Sequence, residues 1–227
     1  MTTAHRRHKD ALYEQLARVS KAMASPKRLE LLDLLAQAPR TVEQLAVAAE
    51  LSVANASQHL KLLREARLVE SSRRGLHVVC RLADDDVARF LVGMRGLAEA
   101  RLAELPSAVR RVLGGRHPAE PVDGPELLAR VSRGEVIVLD VRPAEEFRAG
   151  HVPSARSIPL PELLARLGEL PPGVTLVAYC RGPYCVYAAD AVELLQRHGY
   201  AATRMDQGVP EWRSQGWPIE TCEEASP

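Results

Sequence analysis

The 227 residues predict a mixed fold: an all-α first part that includes a short strand pair, then an α/β second part with a parallel sheet. Three observations carry this. Apolar residues recur at helical spacing to about residue 105, interrupted by one pair of strand-like runs. After about residue 122, strand and helix signals alternate. The charge also changes sign along the chain. Residues 1–116 hold 20 Lys+Arg against 13 Asp+Glu and the remainder 10 against 16, so a total of +1 conceals halves of +7 and −6. A basic half joined to an acidic one suggests a polyanion-binding module fused to something else.

The stretch "RVLGGRHPAEPVDGPE" is rich in Gly and Pro and lacks apolar periodicity, which places a boundary near Arg116 to Pro121. The expected domains are therefore 1–116 and 117–227. The longest apolar runs, "VIVL" and "VTLVA", fall far short of the about 20 residues that cross a bilayer. The basic N-terminus has no following apolar stretch, unlike a secretory signal. Four cysteines without an export signal read as free thiols in a reducing cytoplasm, with no membrane partner.

In the first part, Leu12, Leu16, Val19 and Met23 share a helical period. Ser25 then Pro26 open a helix through "PKRLELLDLLAQA". Thr41 followed by Gln44 is a capping-box pattern for "TVEQLAVAAE". Ser52 can cap the next helix, "VANASQHLKLLREA", and two helices so closely spaced must cross steeply, as a helix-turn-helix. On that last helix Val53, Ala56, Leu60 and Leu63 are expected to face inward. Asn55, Ser57, Gln58, His59, Lys61 and Arg64 are left outside. Amides and hydroxyls suit base edges, and Lys61 and Arg64 suit phosphates. "LVESSRRGLHVVCRL" then reads as two strands around Arg73, Arg74 and Gly75, a hairpin whose basic tip can reach a DNA backbone. Cys80, in phase with Val78 and Leu82, reads as a small buried hydrophobe.

Over residues 10 to 105 the run "AMASPKRLELLDLLA…TVEQLA…LSVANASQHLKLLREARLVESSRRG" resembles the winged helix-turn-helix of ArsR/SmtB-type repressors. The resemblance implies a homodimer on a double-stranded DNA operator, joined through the first and last helices of the domain. The last would be "DDDVARFLVGMRGLAEARLAEL", with Val87, Phe90, Leu91, Met94, Leu97 and Leu102 as an apolar stripe. Three acids at its start suit a helix N-terminus. Two departures stand out. "TVEQLAVAAE" has no cysteine or histidine and the last helix no histidine, so no metal-sensing site is expected. Arg67 stands where the family commonly has glycine, which predicts a non-glycine residue at positive φ, costing about 1 kcal/mol.

In the second part, "PELLARVSRG" and "PAEEFRAG" read as helices around the strand "EVIVLDV". "ARSIPL", the helix "PELLARLGEL", the strand "VTLVAYC", the helix "CVYAADAVELLQRHG" and the strand "YAATRM" follow. Apolar strands suit a parallel sheet covered on both faces, and ligands bind at the carboxyl edge of such sheets. Cys180 stands at that edge. The following helix would aim free N–H groups at the loop of Cys180, Arg181, Gly182, Pro183, Tyr184 and Cys185, making Cys180 an acidic, exposed nucleophile. Gly182 allows the tight curve and Pro183 stiffens it. A phosphatase loop would need arginine six positions after the cysteine, where this chain has Val186.

Three motifs, "LDVRPAEEFRAGHVPSARSIPL", "VAYCRGPYCVYAADAVELL" and "MDQGVPEWRSQGWPIE", resemble a single-domain rhodanese over about 100 residues. The likeness implies that Cys180 accepts a sulfane sulfur while Asp140 and Arg142 brace the site. His151, Trp212 and Trp217 read as packing residues, and Cys222 as exposed. Cys185 departs from the family pattern. It is either a second thiol that attacks a Cys180 persulfide or simply a small residue at a helix start.

The combined expectation is a regulator, read as a repressor, that senses reactive sulfur by persulfidation of Cys180, with a small donor (persulfide, polysulfide or thiosulfate) and no cofactor. The alternatives are a sulfurtransferase enzyme, and a redox or arsenical sensor using Cys180 and Cys185.

Overall fold

The computed structural model describes residues 3–114 and 122–222. The expected boundary at Arg116 to Pro121 lies outside them. The chain divides into two compact units, Met1–Ala88 and Arg89–Pro227.

The first unit opens with α1 (Thr3–Met23) and α2 (Pro26–Gln37). Ser25 has the extended backbone of an N-cap, though its hydroxyl makes no capping bond. A two-residue strand, β1 (Arg40–Thr41), leads into α3 (Val42–Ala48). There the Thr41 hydroxyl accepts from the Gln44 N–H at 3.2 Å while the Gln44 side chain accepts from the Thr41 N–H at 2.8 Å. This reciprocal pair satisfies two N–H groups the helix itself leaves over.

α4 (Val53–Glu65) begins at Ser52, whose Oγ accepts from the Asn55 N–H. It ends in a Schellman closure: Leu68 N–H donates to the Leu63 carbonyl and Arg67 N–H to that of Arg64. Arg67 occupies the left-handed position at φ 60°, as the missing glycine predicts. β2 (Val69–Arg74) and β3 (His77–Leu82) form the hairpin, with Arg74 opposite His77 and Gly75 turning the chain at φ 61°. β3 lies central in the order β1-β3-β2. Leu31, Leu32, Leu45, Ala56, Leu60, Leu63 and Cys80 are buried together with Val69. Val53 is not among them. It is 49% exposed, because the first turn of α4 precedes the point where the helix meets the core.

α5 (Asp85–Arg101) starts where the Asp84 carboxylate accepts from the Val87 N–H. From Arg89 onward it is counted with the second unit. It stops at Arg101, short of the expected Leu105, and α6 (Leu105–Val112) follows with Pro106 in its first turn. Leu102 therefore falls outside the helix. Of the expected stripe, Val87 and Leu91 are buried, whereas Phe90, Leu97 and Leu102 are more than half exposed.

The rest of the second unit is a parallel four-stranded sheet in the order β5-β4-β6-β7. α7 (Gly124–Ser132), capped by Asp123, precedes β4 (Val136–Asp140), and α8 (Ala144–Ala149) precedes β5 (Arg156–Ser157). The expected helix "PELLARLGEL" is only α9 (Leu160–Leu163) plus a 3-10 turn at Leu167–Glu169. β6 (Thr175–Tyr179), α10 (Tyr187–Arg197), β7 (Ala202–Arg204) and α11 (Val209–Ser214) complete the order.

Alternation along the strands divides the core. Leu139, Leu176, Ala178 and Cys180 face a layer built on α9 and α10 through Leu163, Ala188, Ala191 and Leu195. Val136, Val138, Val177 and Tyr179 face one built on α7 and α11 through Leu127, Val209 and Trp212. Trp212 is fully buried and meets Trp217 edge-on at 4.7 Å. Burial on both faces is what the near-continuous apolar strands require.

Candidate functional site

β6 ends at Tyr179, Cys180 closes it, and α10 starts at Tyr187, so the loop between them spans the carboxyl edge of the sheet. Its shape depends on two close approaches. Gly182 has φ 131°, and a side chain there would meet Glu211 and Arg95 at 3.1 and 3.3 Å. A side chain at Gly208 would come within 2.6 Å of the Arg181 backbone. Glycine at 182 allows the positive φ beside the Arg95 and Glu211 side chains, and glycine at 208 allows main chain to pack against main chain.

The two thiols lie close enough to influence each other's ionisation and differ in setting, with the Cys180 thiol donating to the Cys185 carbonyl at 3.5 Å. Cys180 is 2% exposed within the core layer. Burial pushes its pKa well above the ordinary thiol value, and the neighbouring Cys185 side chain adds to the shift. N–H groups of Ala188 and Gly182 act in the opposite direction but do not prevail. Cys185 is half-buried, and its pKa is lowered to about 6, first by the Cys180 side chain beside it. Main-chain N–H groups of Arg181 and Tyr187 and the Arg181 charge contribute, while burial opposes. The expectation of an exposed, acidic Cys180 is thus corrected. The loop amides do converge on sulfur, but burial opposes ionisation of Cys180 while its surroundings favour that of Cys185. Cys180, with core on its other side, has lost the water that would stabilise an anion.

The Arg181 guanidinium pairs with Glu146 of α8. Its Nε donates at 2.9 and 3.1 Å and its Nη2 at 2.6 Å, and the guanidinium lies 5.7 Å from the Tyr187 ring. The Glu146 side chain is completely buried. Tyr184 donates its hydroxyl to Glu99 at 2.7 Å, and Arg95 lies over its ring while pairing with Glu211. Pro183 is half-buried in the same turn.

Asp140 and Arg142 form a separate buried network below the loop. The Asp140 carboxylate accepts from the Arg142 main chain at 3.0 Å, from Arg142 Nε at 2.9 Å and Nη2 at 2.5 Å, and from the Tyr179 hydroxyl at 2.5 Å. Arg142 also donates to the Gly150 carbonyl, and Val152 N–H donates to the Tyr179 oxygen. Neighbouring charge raises the Arg142 pKa against the opposing effect of burial, which is the largest single influence on it. His151 stacks on Phe147 at 3.7 Å, with Nδ1 2.9 Å from the Phe147 carbonyl, a packing position as read from sequence. Cys222 is exposed.

In the first unit, Ser52, Asn55, Ser57, Gln58 and Lys61 lie exposed on α4, and His59 and Arg64 are half-buried. Arg64 donates to Ser71 of β2 at 3.0 Å, and the Ser52 hydroxyl is engaged as the helix cap. Arg73 and Arg74 are exposed at the hairpin, where Arg73 donates to the Gly75 carbonyl. Among the described residues no group of three or more His, Cys, Asp or Glu could hold a metal ion, and no helix is long and apolar enough to cross a membrane.

Sequence reasoning missed Glu146, Tyr179, Arg95, Glu99 and Glu211. Only Glu146 carried a signal, being one of two adjacent acids in "PAEEFRAG", and nothing local says which of them turns inward.

Two family models match the chain: the bacterial regulatory protein arsR family over residues 25–71 and the rhodanese-like domain over 124–215. Fold and site thus define a helix-turn-helix transcriptional regulator with a rhodanese-like second domain. The chain belongs to the ArsR-type regulators of this two-part kind, being 44% identical over 212 residues to the HTH-type transcriptional regulator Rv0324 of Mycobacterium tuberculosis, with 93% of each chain covered. A sulfurtransferase of Allochromatium vinosum is 29% identical over 99 residues, 43% of this chain and 92% of that protein. The solved winged helix-turn-helix DNA-binding domain of Mb0332 from Mycobacterium bovis, described as homodimeric, is 42% identical with a TM-score of 0.40. It covers 42% of this chain and 89% of that one.

Proposed function

We propose that the protein is a dimeric, cytoplasmic DNA-binding regulator whose Cys180–Cys185 pair takes up reactive sulfur and thereby changes its affinity for an operator. The observation that carries this reading is a pair of thiols at the two ends of the edge loop of a regulator, with the Cys180 thiol donating to the Cys185 carbonyl at 3.5 Å. Functionally the chain divides into residues 1–116 and 117–227. Asn55, Ser57, Gln58 and His59 read base edges, Ser52 starts that helix, and Lys61, Arg64, Arg73 and Arg74 meet phosphates. Leu12, Tyr13, Leu16, Phe90 and Leu97 are exposed apolar side chains on α1 and α5. A second copy would cover them, as befits a relative described as homodimeric.

The chemistry balances without a cofactor. Cys180 attacks the outer sulfur of a donor R–S–SH, and the R–S–S bond breaks as the new S–S bond forms. RS⁻ departs while the Cys180 proton passes to the neighbouring Cys185 in its thiolate form. The products are Cys180–S–SH, Cys185–SH and RS⁻. Cys185 can then attack the inner sulfur, forming a disulfide and releasing H₂S. Arg181, Gly182, Pro183 and Tyr184 shape the loop, and Asp140 and Arg142 brace it. Either adduct regulates only if it interacts differently with the DNA-bound and free forms.

The test is an operator titration of reduced and polysulfide-treated protein, with adduct mass read from the same sample. Weaker binding together with a gain of one sulfur, or a loss of two hydrogens, per chain supports the reading, as does loss of that response in Cys180→Ser. Unchanged affinity on a fully modified sample ends it. The sulfurtransferase relative favours a second reading, enzymatic turnover, which many sulfurs transferred per chain to cyanide would establish.

A further inference from the structure

The two arginines that touch the Cys180 loop, Arg181 and Arg95, are each paired with a carboxylate. Arg181, adjacent to the nucleophile, is held by the fully buried Glu146 through three contacts of 2.6 to 3.1 Å. Arg95, against Gly182, pairs with Glu211, with both side chains about 85% withdrawn from solvent. Arg204, at the end of β7, favours the charged form of Asp206 although burial, the larger influence, acts the other way. A further carboxylate, Glu99, accepts from Tyr184 and lies close enough to Asp206 to raise its pKa. What the loop offers an incoming sulfur compound is main-chain N–H groups, from Gly182 and Ala188 at one thiol and from Arg181 and Tyr187 at the other.

Main-chain N–H groups can stabilise a single delocalised negative charge on sulfur. A second negative charge gains less from cations already paired with carboxylates than from unpaired ones. It is also repelled by Glu99 and by the Cys185 thiolate, in a setting where charges interact more strongly than in water.

We infer that the thiol pair selects its donor by charge, taking sulfane sulfur from hydropersulfides of small thiols, neutral or singly charged, and discriminating against thiosulfate. This rests on the sulfur-uptake reading above and names its substrate class. With a hydropersulfide, R–S–SH and the protein thiol give the protein persulfide and R–SH. With thiosulfate, the thiolate would take the outer sulfur and release sulfite. Glu146 is then a specificity residue: by occupying Arg181 it removes the one cation next to the nucleophile.

The experiment measures, by mass spectrometry on the full-length reduced protein, second-order rates of sulfur loading from cysteine hydropersulfide and from thiosulfate. Because donors differ in intrinsic reactivity, the readouts are the salt dependence of each rate and the change each variant makes. Raising NaCl from about 20 to about 300 mM shortens the screening length several-fold. It should speed loading from thiosulfate and leave that from the hydropersulfide nearly unchanged. Glu146→Gln, which leaves the Arg181 charge unneutralised, should raise the thiosulfate rate about tenfold and move the hydropersulfide rate by less than about threefold. Glu99→Lys, at an exposed position that should not disturb folding, should shift the ratio of the two rates in the same direction. A wild-type thiosulfate rate that falls with salt, or a ratio unmoved in both variants, overturns the inference and leaves sulfur uptake standing. No loading from either donor overturns uptake and inference together.

Discussion

Glu146 is a carboxylate with no exposed side-chain surface, and such a group is tolerated only with partners of opposite charge. Its partner, Arg181, was legible from sequence as part of a cysteine loop; Glu146 was not, since only the packed fold decides which of two neighbouring acids turns inward. The same holds for the thiols. Position along the chain identified Cys180 and Cys185, but which one ionises depends on how much water each retains. Alkylation of Cys180→Ser with iodoacetamide is expected to follow a pH midpoint well below the ordinary thiol value of 9.0, because the Arg181 and Tyr187 amides and the Arg181 charge remain. Losing the Cys180 thiol, the largest influence lowering it, places that midpoint above the value of about 6 for the intact pair. In Cys185→Ser, the buried Cys180 should stay unreactive until strongly alkaline pH. The sign for stability follows from a lowered folded pKa: ionised Cys185 stabilises the loop fully above the ordinary thiol value, and this is lost as pH falls through about 6. A separate residue-level prediction concerns Arg142→Ala, which leaves Asp140 buried without its cation. It should cost about 3–5 kcal/mol, read as a lowered midpoint in urea unfolding.

At the scale of elements, local chemistry was largely readable. The Thr41–Gln44 capping box, the Ser52 cap and the turn at Gly75 all occur at the expected positions, because each depends on a few neighbouring residues. What failed depended on packing. Val53 is apolar but lies ahead of the core, α9 is far shorter than its sequence suggests, and α6 and α11 were not anticipated. Two tests belong here. Gln58→Ala, on the exposed face of α4, should weaken operator binding by about 1–3 kcal/mol and random-sequence binding much less, measured by fluorescence anisotropy on both duplexes. Arg67→Gly relieves a left-handed backbone at the end of α4 and should stabilise the protein by about 1 kcal/mol, seen as a higher midpoint of thermal unfolding.

At the scale of the molecule, the α/β half was the more legible, since a parallel sheet with a core on each face leaves an apolar signature in every strand. The charge separation was equally visible, with +7 in residues 1–116 and −6 beyond them. It predicts that affinity for random duplex DNA falls steeply with salt, by about 0.9 in log–log slope for each phosphate neutralised. Lys61→Ala should lower that slope by about one.

Residues beyond α11 run back along the sheet unit. Glu220 exchanges main-chain hydrogen bonds with His151, Cys222 N–H donates to the Arg148 carbonyl, and the Trp212 indole donates to the Pro218 carbonyl. These are the flanks of α8, the helix that presents Glu146 to Arg181. Trimming the chain at residue 216 would therefore unfasten the sulfur loop from a distance. A protease nick there, or a purification handle fused too closely behind it, would blunt the molecule's chemical discrimination while its grip on nucleic acid went on unchanged.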